Sequence, residues 1–312
     1  GDLDVILPNT GRFTTGSETD GDFLMRRMGR MRYLENVQNS SSGPWQFKER
    51  YGKDANPFHE IRDDFELCQT CSKSNATCMN ATSCANYFVD PDPRVGWIYP
   101  YTYLHPTFDD IDGDGDLDAV IGTYRGHLLF FENTGNHQTR KFVSVDLDAT
   151  DHPLGRVSVS GFSAPVFVDA DGDGDHDLVV GMASGALSYF ERVKTEGPHG
   201  FAYEHRSDPL SNPFHMITVG GRSKPVFVDI TGDDILDLVV SAYDGNIVLY
   251  ANTGSAANPA FTIRKKSGEN PFLAIKPIEY VSAVFVDVDG DGQEDMVTGD
   301  IRVGHIQFYR HL

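Results

Sequence analysis

One feature limits what this chain can fold into: an aspartate-rich segment that recurs four times at nearly constant spacing. The leading aspartates of the four copies are Asp110, Asp169, Asp229 and Asp287, which lie 59, 60 and 58 residues apart. A fixed period is typical of architectures in which one supersecondary unit packs against the next copy of itself. We therefore treat residues 1–312 as a single repeat domain.

A fifth, incomplete copy of the segment opens the chain. Gly1-Asp2-Leu3-Asp4 aligns with Gly115-Asp116-Leu117-Asp118, inside the first full copy. The chain thus begins in the middle of a repeat, and its first residues lack the basic start and apolar stretch of a signal peptide. We expect the sequence to be part of a longer protein.

Short apolar runs fill the rest of each unit. Residues 178–181 and 238–240 follow the aspartate segment, and residues 187–190 and 247–250 come next. The runs are rich in β-branched and aromatic residues and are bounded by Gly, Pro, Asn and Asp, as strands are. No stretch has a convincing helical period. Four short strands per unit predict an all-β fold, a β-propeller of four-stranded blades with about five blades represented and room for a larger ring in the intact protein.

The aspartate segments have the spacing of a metal-binding loop. If the leading aspartate is position 1, carboxylates recur at positions 3, 5 and 9, and glycine usually occupies position 6. Glycine permits the positive φ of a tight turn, and several hard oxygen donors suit Ca²⁺. The candidate calcium ligands, at positions 1, 3, 5, 7 and 9 of the four loops, are Asp110, Asp112, Asp114, Asp116, Asp118; Asp169, Asp171, Asp173, Asp175, Asp177; Asp229, Thr231, Asp233, Ile235, Asp237; and Asp287, Asp289, Asp291, Gln293, Asp295.

The third loop departs from the pattern at two positions. Thr231 replaces the aspartate at position 3, and Asp234 replaces the glycine at position 6. Because Asp tolerates positive φ better than most residues, the turn can survive, but one inward carboxylate is lost. We predict the weakest calcium affinity in this loop. The competing interpretation of all four loops is that Asp-Gly pairs only make good hairpin turns.

Residues 167–181, FVDADGDGDHDLVVG, resemble the FG-GAP/VCBS repeat that is found in the propellers of integrin α-subunits and in many secreted proteins. The resemblance covers nearly the whole chain apart from two inserts. It implies a propeller with calcium loops between the first two strands of each blade, on one face of the disc. It also implies that the side chains at positions 1, 3, 5 and 9 and the carbonyl at position 7 hold the ion.

An insert at residues 62–100, within the first blade, contains all four cysteines. Two disulfides among Cys68, Cys71, Cys78 and Cys84 would pin this insert, with three possible connectivities. The alternative is a zinc site, since Cys68 and Cys71 have the spacing of a common half-site.

Three Asn-x-Ser/Thr glycosylation sequons support an oxidising compartment. They begin at Asn39, Asn75 and Asn80, and two of them lie in the Cys-rich insert. Together with calcium loops, they favour disulfides over zinc and predict a secreted or cell-surface protein.

The net charge of −20 argues against a nucleic-acid partner, because phosphate binding needs clustered Lys and Arg. No apolar run is long enough to span a membrane. The expected partner is an extracellular protein or glycan, bound by an adhesion or recognition module that calcium makes rigid. Two alternatives remain open: a polysaccharide lyase or hydrolase on a propeller scaffold, and a structural subunit of a larger extracellular assembly. No hydrolase or nucleotide-binding motif is visible, although a lyase needs none of them.

Overall fold

The computed structural model of the protein describes residues 5–8, 31–36, 47–50, 88–89, 97–98, 104–136, 139–147, 151–275, 281–288, 291–300 and 306–310. Several residues singled out above lie outside these ranges: residues 1–4, Asn39, Cys68, Cys71, Asn75, Cys78, Asn80, Cys84 and Asp289. The disulfide, glycosylation and metal predictions that concern these residues therefore stay predictions.

The described residues form twenty short strands. They are β1 (Val5–Pro8), β2 (Met31–Asn36), β3 (Phe47–Arg50), β4 (Phe88–Val89), β5 (Trp97–Ile98), β6 (His105–Asp109), β7 (Asp118–Gly122), β8 (Leu128–Asn133), β9 (Phe142–Val145), β10 (Ala164–Val168), β11 (Asp177–Gly181), β12 (Leu187–Lys194), β13 (Phe201–His205), β14 (Lys224–Val228), β15 (Asp237–Ser241), β16 (Ile247–Asn252), β17 (Phe261–Ile263), β18 (Val281–Val286), β19 (Asp295–Asp300) and β20 (Ile306–Tyr309). Short 3-10 turns cover Pro153–Arg156 and Pro271–Ala274.

The strands pair antiparallel in sequence order, which makes each sheet a meander. We call the sheets β6–β9, β10–β13 and β14–β17 blades 1, 2 and 3, and β18–β20 blade 4. Blades 1 to 3 have four strands, and blade 4 has three among the described residues. An N-terminal sheet, β1–β3, repeats the order, and β4 pairs with β5 inside the Cys-rich insert.

The blades pack side by side through their first strands. β6 contacts β10, β10 contacts β14, and β14 contacts β18. The first strand of each blade also contacts the second strand of the blade before it, as in β10 with β7 and β11 with β14. Strands that repeat this way around an axis form a propeller, so the predicted fold is confirmed.

The second strands of blades 1 to 3 are buried on both faces, which explains their unbroken apolar runs. In blade 2, Leu178 and Val180 pack into the core shared with blade 1, while Val179 packs into the core shared with blade 3. In blade 3, Val239 likewise faces blade 4. Alternate residues of a strand point to opposite faces, so one strand serves two interfaces. Each fully buried Val or Leu contributes roughly 1.5–3 kcal/mol to folding.

An Asn-Pro-Phe segment recurs at residues 212–214 and 270–272, and in both places it forms a turn that inserts an aromatic ring between blades. The side chains of Asn212 and Asn270 accept the amide protons of Phe214 and Phe272 at 2.8 and 2.9 Å. Phe214 then stacks on Phe261 of blade 3 at 5.2 Å. Both rings are buried, with exposed fractions of 1% for Phe214 and 2% for Phe272.

Buried serines that lie just before the first strands of blades 2 and 3 connect each of these blades to the preceding one. The Ser163 hydroxyl accepts the amide proton of Thr123 at 2.7 Å and donates to the His127 carbonyl at 2.9 Å. Ser223 repeats these contacts, with the amide of Met182 at 2.9 Å and the carbonyl of Ala186 at 2.7 Å. These hydroxyls satisfy polar groups of the β7–β8 and β11–β12 turns, which would otherwise be buried at a cost.

In the part of the chain that the structure describes, no helix has the length and apolar character needed to span a membrane.

Candidate metal centre

Each aspartate loop joins the first and second strands of a blade. Residues 110–117 connect β6 to β7, residues 169–176 connect β10 to β11, and the corresponding segments connect β14 to β15 and β18 to β19. Because the blades repeat one strand order, the loops share one end of the sheets. This is the position that the resemblance to FG-GAP repeats implies.

The carboxylate at position 1 organises the backbone of its own loop. Asp110 accepts the amide protons of Gly113 and Gly115, at 2.8 and 3.0 Å, with one oxygen each. Asp169 does the same in the second loop, with Gly172 and Gly174 at 2.7 and 3.1 Å. These bonds curl the loop backbone around the position 1 carboxylate, so the protein's own hydrogen bonds define the shape of the loop.

The carboxylates at positions 3 and 5 continue this pattern along the loop. In the first loop, Asp112 accepts the amide proton of Asp114 at 3.1 Å, and Asp114 accepts that of Asp116 at 2.8 Å. In all four loops the amide at position 7 donates to position 5, whether the side chain at position 7 is Asp, Ile or Gln. The backbone of position 7 therefore makes the same hydrogen bond whatever its side chain, and coordination by its carbonyl stays a prediction.

Position 6 adopts a left-handed backbone conformation in every loop. Its φ is 92° at Gly115, 92° at Gly174 and 85° at Gly292, and Asp234 in the third loop has a φ of 63°. Asp229 still accepts the amide protons of Gly232 and Asp234, at 2.7 and 2.8 Å. The prediction that the turn survives without glycine is confirmed.

Two loops gather three carboxylates at one point. Oxygens of Asp110, Asp112 and Asp114 all lie within 4.8 Å of one another, as do those of Asp169, Asp171 and Asp173. Several carboxylate oxygens so close together match the ligands that Ca²⁺ takes. The residues present therefore fit a hard divalent cation in the first two loops.

The electrostatics of the second loop favour a cation. The pKa values of Asp171 and Asp175 are raised above the usual range, first by burial and then, in part, by the charge of Asp173 nearby. Like charges held this close disfavour the ionised forms, and a bound cation would reverse that effect.

The aspartate at position 9 has a different environment from the aspartates at positions 1, 3 and 5. It begins the second strand and is buried in all four blades, with an exposed fraction of 0–1%. Asp118 accepts the amide protons of Ile111 at 3.2 Å and of Asn133 at 2.7 Å, which joins the loop to the third strand of the blade. Burial raises the pKa of Asp118 to about 6, against the lowering effect of these two bonds.

In the second and third blades, the buried aspartate at position 9 makes the same two kinds of contact and accepts one further hydrogen bond. Asp177 accepts the amide protons of Ala170 and Arg192 and the Tyr189 hydroxyl, the last at 2.8 Å. Asp237 accepts three amide protons, from Ile230, Thr231 and Asn252. A carboxylate oxygen has two lone pairs, so these bonds leave room for a cation, and the metal-ligand role of position 9 stays a prediction.

The second loop is also held by both neighbouring blades, which the sequence did not reveal. His176, at position 8, has its Nδ1 atom 2.8 Å from a carboxylate oxygen of Asp109 in blade 1. On the other side, Gly172 lies against the β16–β17 turn of blade 3: a Cβ on Gly172 would be 2.7 Å from the Cα of Ala257. Both contacts join residues more than sixty positions apart, so spacing within one repeat could not predict them.

Glu294 is a further acidic residue near two of the loops. Burial raises its pKa, and the charges of Asp229 in the third loop and Asp287 in the fourth raise it further. Glu294 occupies position 8 of the fourth loop, where the repeat pattern has no fixed residue type.

The fold and the loops define the protein as a β-propeller whose blades carry an aspartate loop between the first and second strands. More particularly, its repeats are of the FG-GAP-like type: the family model described as FG-GAP-like repeat matches residues 110–180 and 218–298. These two regions include all four aspartate loops. The resemblance noted from residues 167–181 is thereby confirmed.

No curated protein matches the chain. Among solved structures, one similar chain is a lectin of Agrocybe aegerita, described as recognising non-reducing terminal N-acetylglucosamine. It is 12% identical, with a TM-score of 0.35; the match covers 96% of this chain and 60% of the lectin chain.

Proposed function

We propose that this protein is an extracellular calcium-binding propeller that serves as an adhesion or recognition module for proteins or glycans. The observation that carries the calcium part is the pair of loops in which three carboxylates lie within 4.8 Å of one another. The FG-GAP-like repeats support it, because each repeat places such a loop at the same point of its blade.

Calcium in this proposal has a structural role. Asp110, Asp112 and Asp114 would hold one ion, and Asp169, Asp171 and Asp173 a second. The ion would neutralise carboxylates that repel one another and would fix the loop between two strands. A ligand that binds only the native state stabilises it, by about 2.7 kcal/mol when its concentration is a hundredfold above its dissociation constant.

The recognition part rests on how a propeller presents its loops. A rigid scaffold of stacked sheets displays loops at both ends of its strands, and loops on such scaffolds commonly carry binding residues. Secretion is supported by the chemistry of the loops, because calcium is abundant outside cells and weak calcium sites can fill there.

Calcium titration of the dialysed protein by calorimetry tests the metal assignment. We expect binding in at least the first two loops and a lower melting temperature in chelator. Asp173→Ala should reduce the calcium-dependent stabilisation more than Asp233→Ala, because it belongs to a complete group of three carboxylates. Glu196→Gln, which removes an exposed carboxylate far from the loops in sequence, is the matched control. A metal-free, fully folded protein at millimolar calcium would defeat the proposal.

A glycan array, probed with and without chelator, tests recognition. Calcium-dependent retention of intact glycans supports the module. Release of a reducing end or an unsaturated sugar would instead indicate a polysaccharide hydrolase or lyase. If no glycan is retained, binding to immobilised extracellular-matrix proteins is measured under the same two conditions, and failure there as well would overturn the recognition part.

A further inference from the structure

The turn that leads from blade 1 into blade 2 is capped by a histidine. His152 immediately precedes the 3-10 turn Pro153–Arg156, and its Nδ1 atom accepts the amide proton of Leu154 at 3.3 Å. This turn places Leu154 and Val157 in the core that blades 1 and 2 share, where they are 1% and 3% exposed. The hydrogen bond made by His152 therefore shapes a segment that joins two blades.

The next two blade junctions have an asparagine at the same place. His152, Asn212 and Asn270 each precede the leading aspartate of the following loop by 17 residues, and a proline follows each of them. Each of the three side chains accepts the amide proton of the residue two positions further on. The cap is thus kept at three junctions, but of these three side chains only that of His152 can become charged between pH 5 and pH 8.

Rings of both blades pack against His152. Its ring stacks on that of Phe130 in β8, with 4.7 Å between the ring centroids. His199, in the turn between β12 and β13 of blade 2, meets it edge-on at 5.0 Å. His152 is 8% exposed and Phe130 is 3% exposed. A histidine in this environment is disfavoured in its charged form, because burial removes water from the imidazolium ion.

Several titratable groups lie on the elements around His152. Strands β8 and β13 contact the 3-10 turn, and the β12–β13 turn carries His199. The described titratable groups on these elements are Glu132 of β8, Glu196 and His199 of the β12–β13 turn, Tyr203, Glu204 and His205 of β13, and Asp151 and Arg156, which form an exposed ion pair at 3.1 Å beside the cap. Burial lowers the pKa of His152 most, the charge of His199 lowers it further, and together they take it to about 4.

Protonation of His152 would remove the cap as well as add a charge. A neutral imidazole accepts a hydrogen bond at one nitrogen, whereas both nitrogens of an imidazolium ion carry protons and can only donate. A protonated Nδ1 would direct its N–H at the N–H of Leu154, and this amide would lose its acceptor. The capped turn is therefore compatible with the neutral ring alone.

We propose that His152 makes the junction between blades 1 and 2 sensitive to acid. At neutral pH the uncharged ring caps the turn. In mildly acidic solution, protonation of the ring releases the turn and loosens the packing of Leu154 between the blades, while the junctions capped by Asn212 and Asn270 stay closed. This response requires neither calcium nor a bound partner, so it goes beyond the proposed function.

The direction of the effect follows from the difference between two pKa values. A histidine in an unfolded or locally opened segment has a pKa of about 6.5, whereas the pKa of His152 in the closed junction is about 4. Between these values the opened form binds a proton that the closed form does not, so the closed form loses stability as the pH falls. The stabilisation is complete above about pH 6.5 and is lost progressively towards about pH 4. Between about pH 7 and about pH 5, the equilibrium constant for opening should rise at least about tenfold.

Hydrogen exchange of the whole chain, followed by NMR in chelator, compares the three junctions within one molecule. The amides of Leu154, Phe214 and Phe272 each donate to one of the three caps. After correction for the intrinsic pH dependence of exchange, the protection of Leu154 relative to the two phenylalanines should fall at least about tenfold between about pH 7 and about pH 5. An unchanged ratio would overturn the proposal.

His152→Asn places at this cap the residue that the other two junctions have. Relative to this variant, the unmodified protein should gain at least about tenfold in its unfolding equilibrium constant between about pH 7 and about pH 5, measured by urea unfolding in chelator. His127→Asn is the matched control, because His127 is an exposed histidine of blade 1, and it should respond to pH as the unmodified protein does. If His152→Asn keeps the full pH response, the titrating group lies elsewhere and the proposal fails.

A titration of the histidine rings by NMR tests the physical cause directly. The signal of His152 is assigned by its absence from the spectrum of His152→Asn. In the unmodified protein the pKa of His152 should lie near about 4, and His199→Gln should raise it, because it removes the neighbouring positive charge. A pKa of His152 at the ordinary value of about 6.5 would refute the proposal, whatever the stability of the variants.

Discussion

The second and third aspartate loops share a backbone but differ in what they can bind. In both, the position 1 carboxylate accepts amide protons of positions 4 and 6, and position 6 has positive φ. Only the second loop has a carboxylate at position 3, and Asp169, Asp171 and Asp173 lie within 4.8 Å of one another. The comparison teaches that the shape of the loop and its capacity for a cation depend on different positions.

The two loops also differ in how firmly neighbouring blades hold them. Gly172 of the second loop has no space for a side chain, because Ala257 of blade 3 lies against it. Gly232, at the same position of the third loop, has no atom within 4 Å of a Cβ built on it. The loop with the more complete carboxylate group is therefore also the one with a neighbour packed against it.

The largest effect should come from position 9, where the two loops are alike. Asp177→Ala would leave two backbone amides and the Tyr189 hydroxyl without their acceptor, and Asp237→Ala would strand three amides. At about 1–3 kcal/mol for each stranded donor, partly relieved by water, we expect each change to lower the free energy of unfolding by roughly 3–5 kcal/mol. Urea unfolding in chelator measures this loss without a metal. If only one of the two variants lost unfolding free energy, the aspartate at position 9 would not have the same stabilising role in both loops.

A smaller difference should follow from alanine at position 4. Gly172→Ala and Gly232→Ala both place a Cβ at positive φ, 76° and 73°, which costs about 1–2 kcal/mol. Gly172→Ala also forces the added Cβ against Ala257, which costs a further 1–3 kcal/mol, as overpacking typically does. We therefore expect Gly172→Ala to lower the melting temperature further. Equal melting temperatures would mean that the β16–β17 turn moves aside without cost.

Restoring the missing carboxylate should make the third loop resemble the second. Thr231→Asp adds the position 3 ligand, and we expect the calcium affinity of that loop to rise about tenfold, equivalent to roughly 1.4 kcal/mol. Calorimetric titration, in a background where Asp110→Ala, Asp169→Ala and Asp287→Ala weaken the other three loops, isolates the change. Thr231→Asn is the control, since it supplies an oxygen without the charge. An unchanged affinity would indicate that position 3 does not distinguish the loops.

The smallest effect should come from returning glycine to position 6 of the third loop. Asp234 has a φ of 63°, and glycine adopts this conformation without steric strain. Asp234→Gly should raise the free energy of unfolding by about 0.5 kcal/mol in chelator, because relief of strain exceeds the added freedom of the unfolded chain. Denaturant unfolding of the two proteins side by side measures it. A destabilised variant would show that the Asp234 side chain makes a contribution of its own.

The sequence determined the features that depend on neighbours in the chain. The repeat spacing of Asp110, Asp169, Asp229 and Asp287 and the short apolar runs were sufficient to predict an all-β propeller. Similarly, Asp at positive φ was sufficient to predict that the third loop keeps its turn. These features follow from strand length, alternation and turn chemistry, which act over a few residues and repeat with the sequence.

Tertiary structure alone decided the features that join separate blades. The contact of Gly172 with Ala257 and the bond between His176 and Asp109 each link positions far apart in the chain. Position 9 shows the same division within a single blade: its recurrence is visible in the sequence, but its burial and its bond to the third strand are not. The physical reason is that a repeat states what each unit contains, whereas the packing of one blade on the next decides which side chains are buried together.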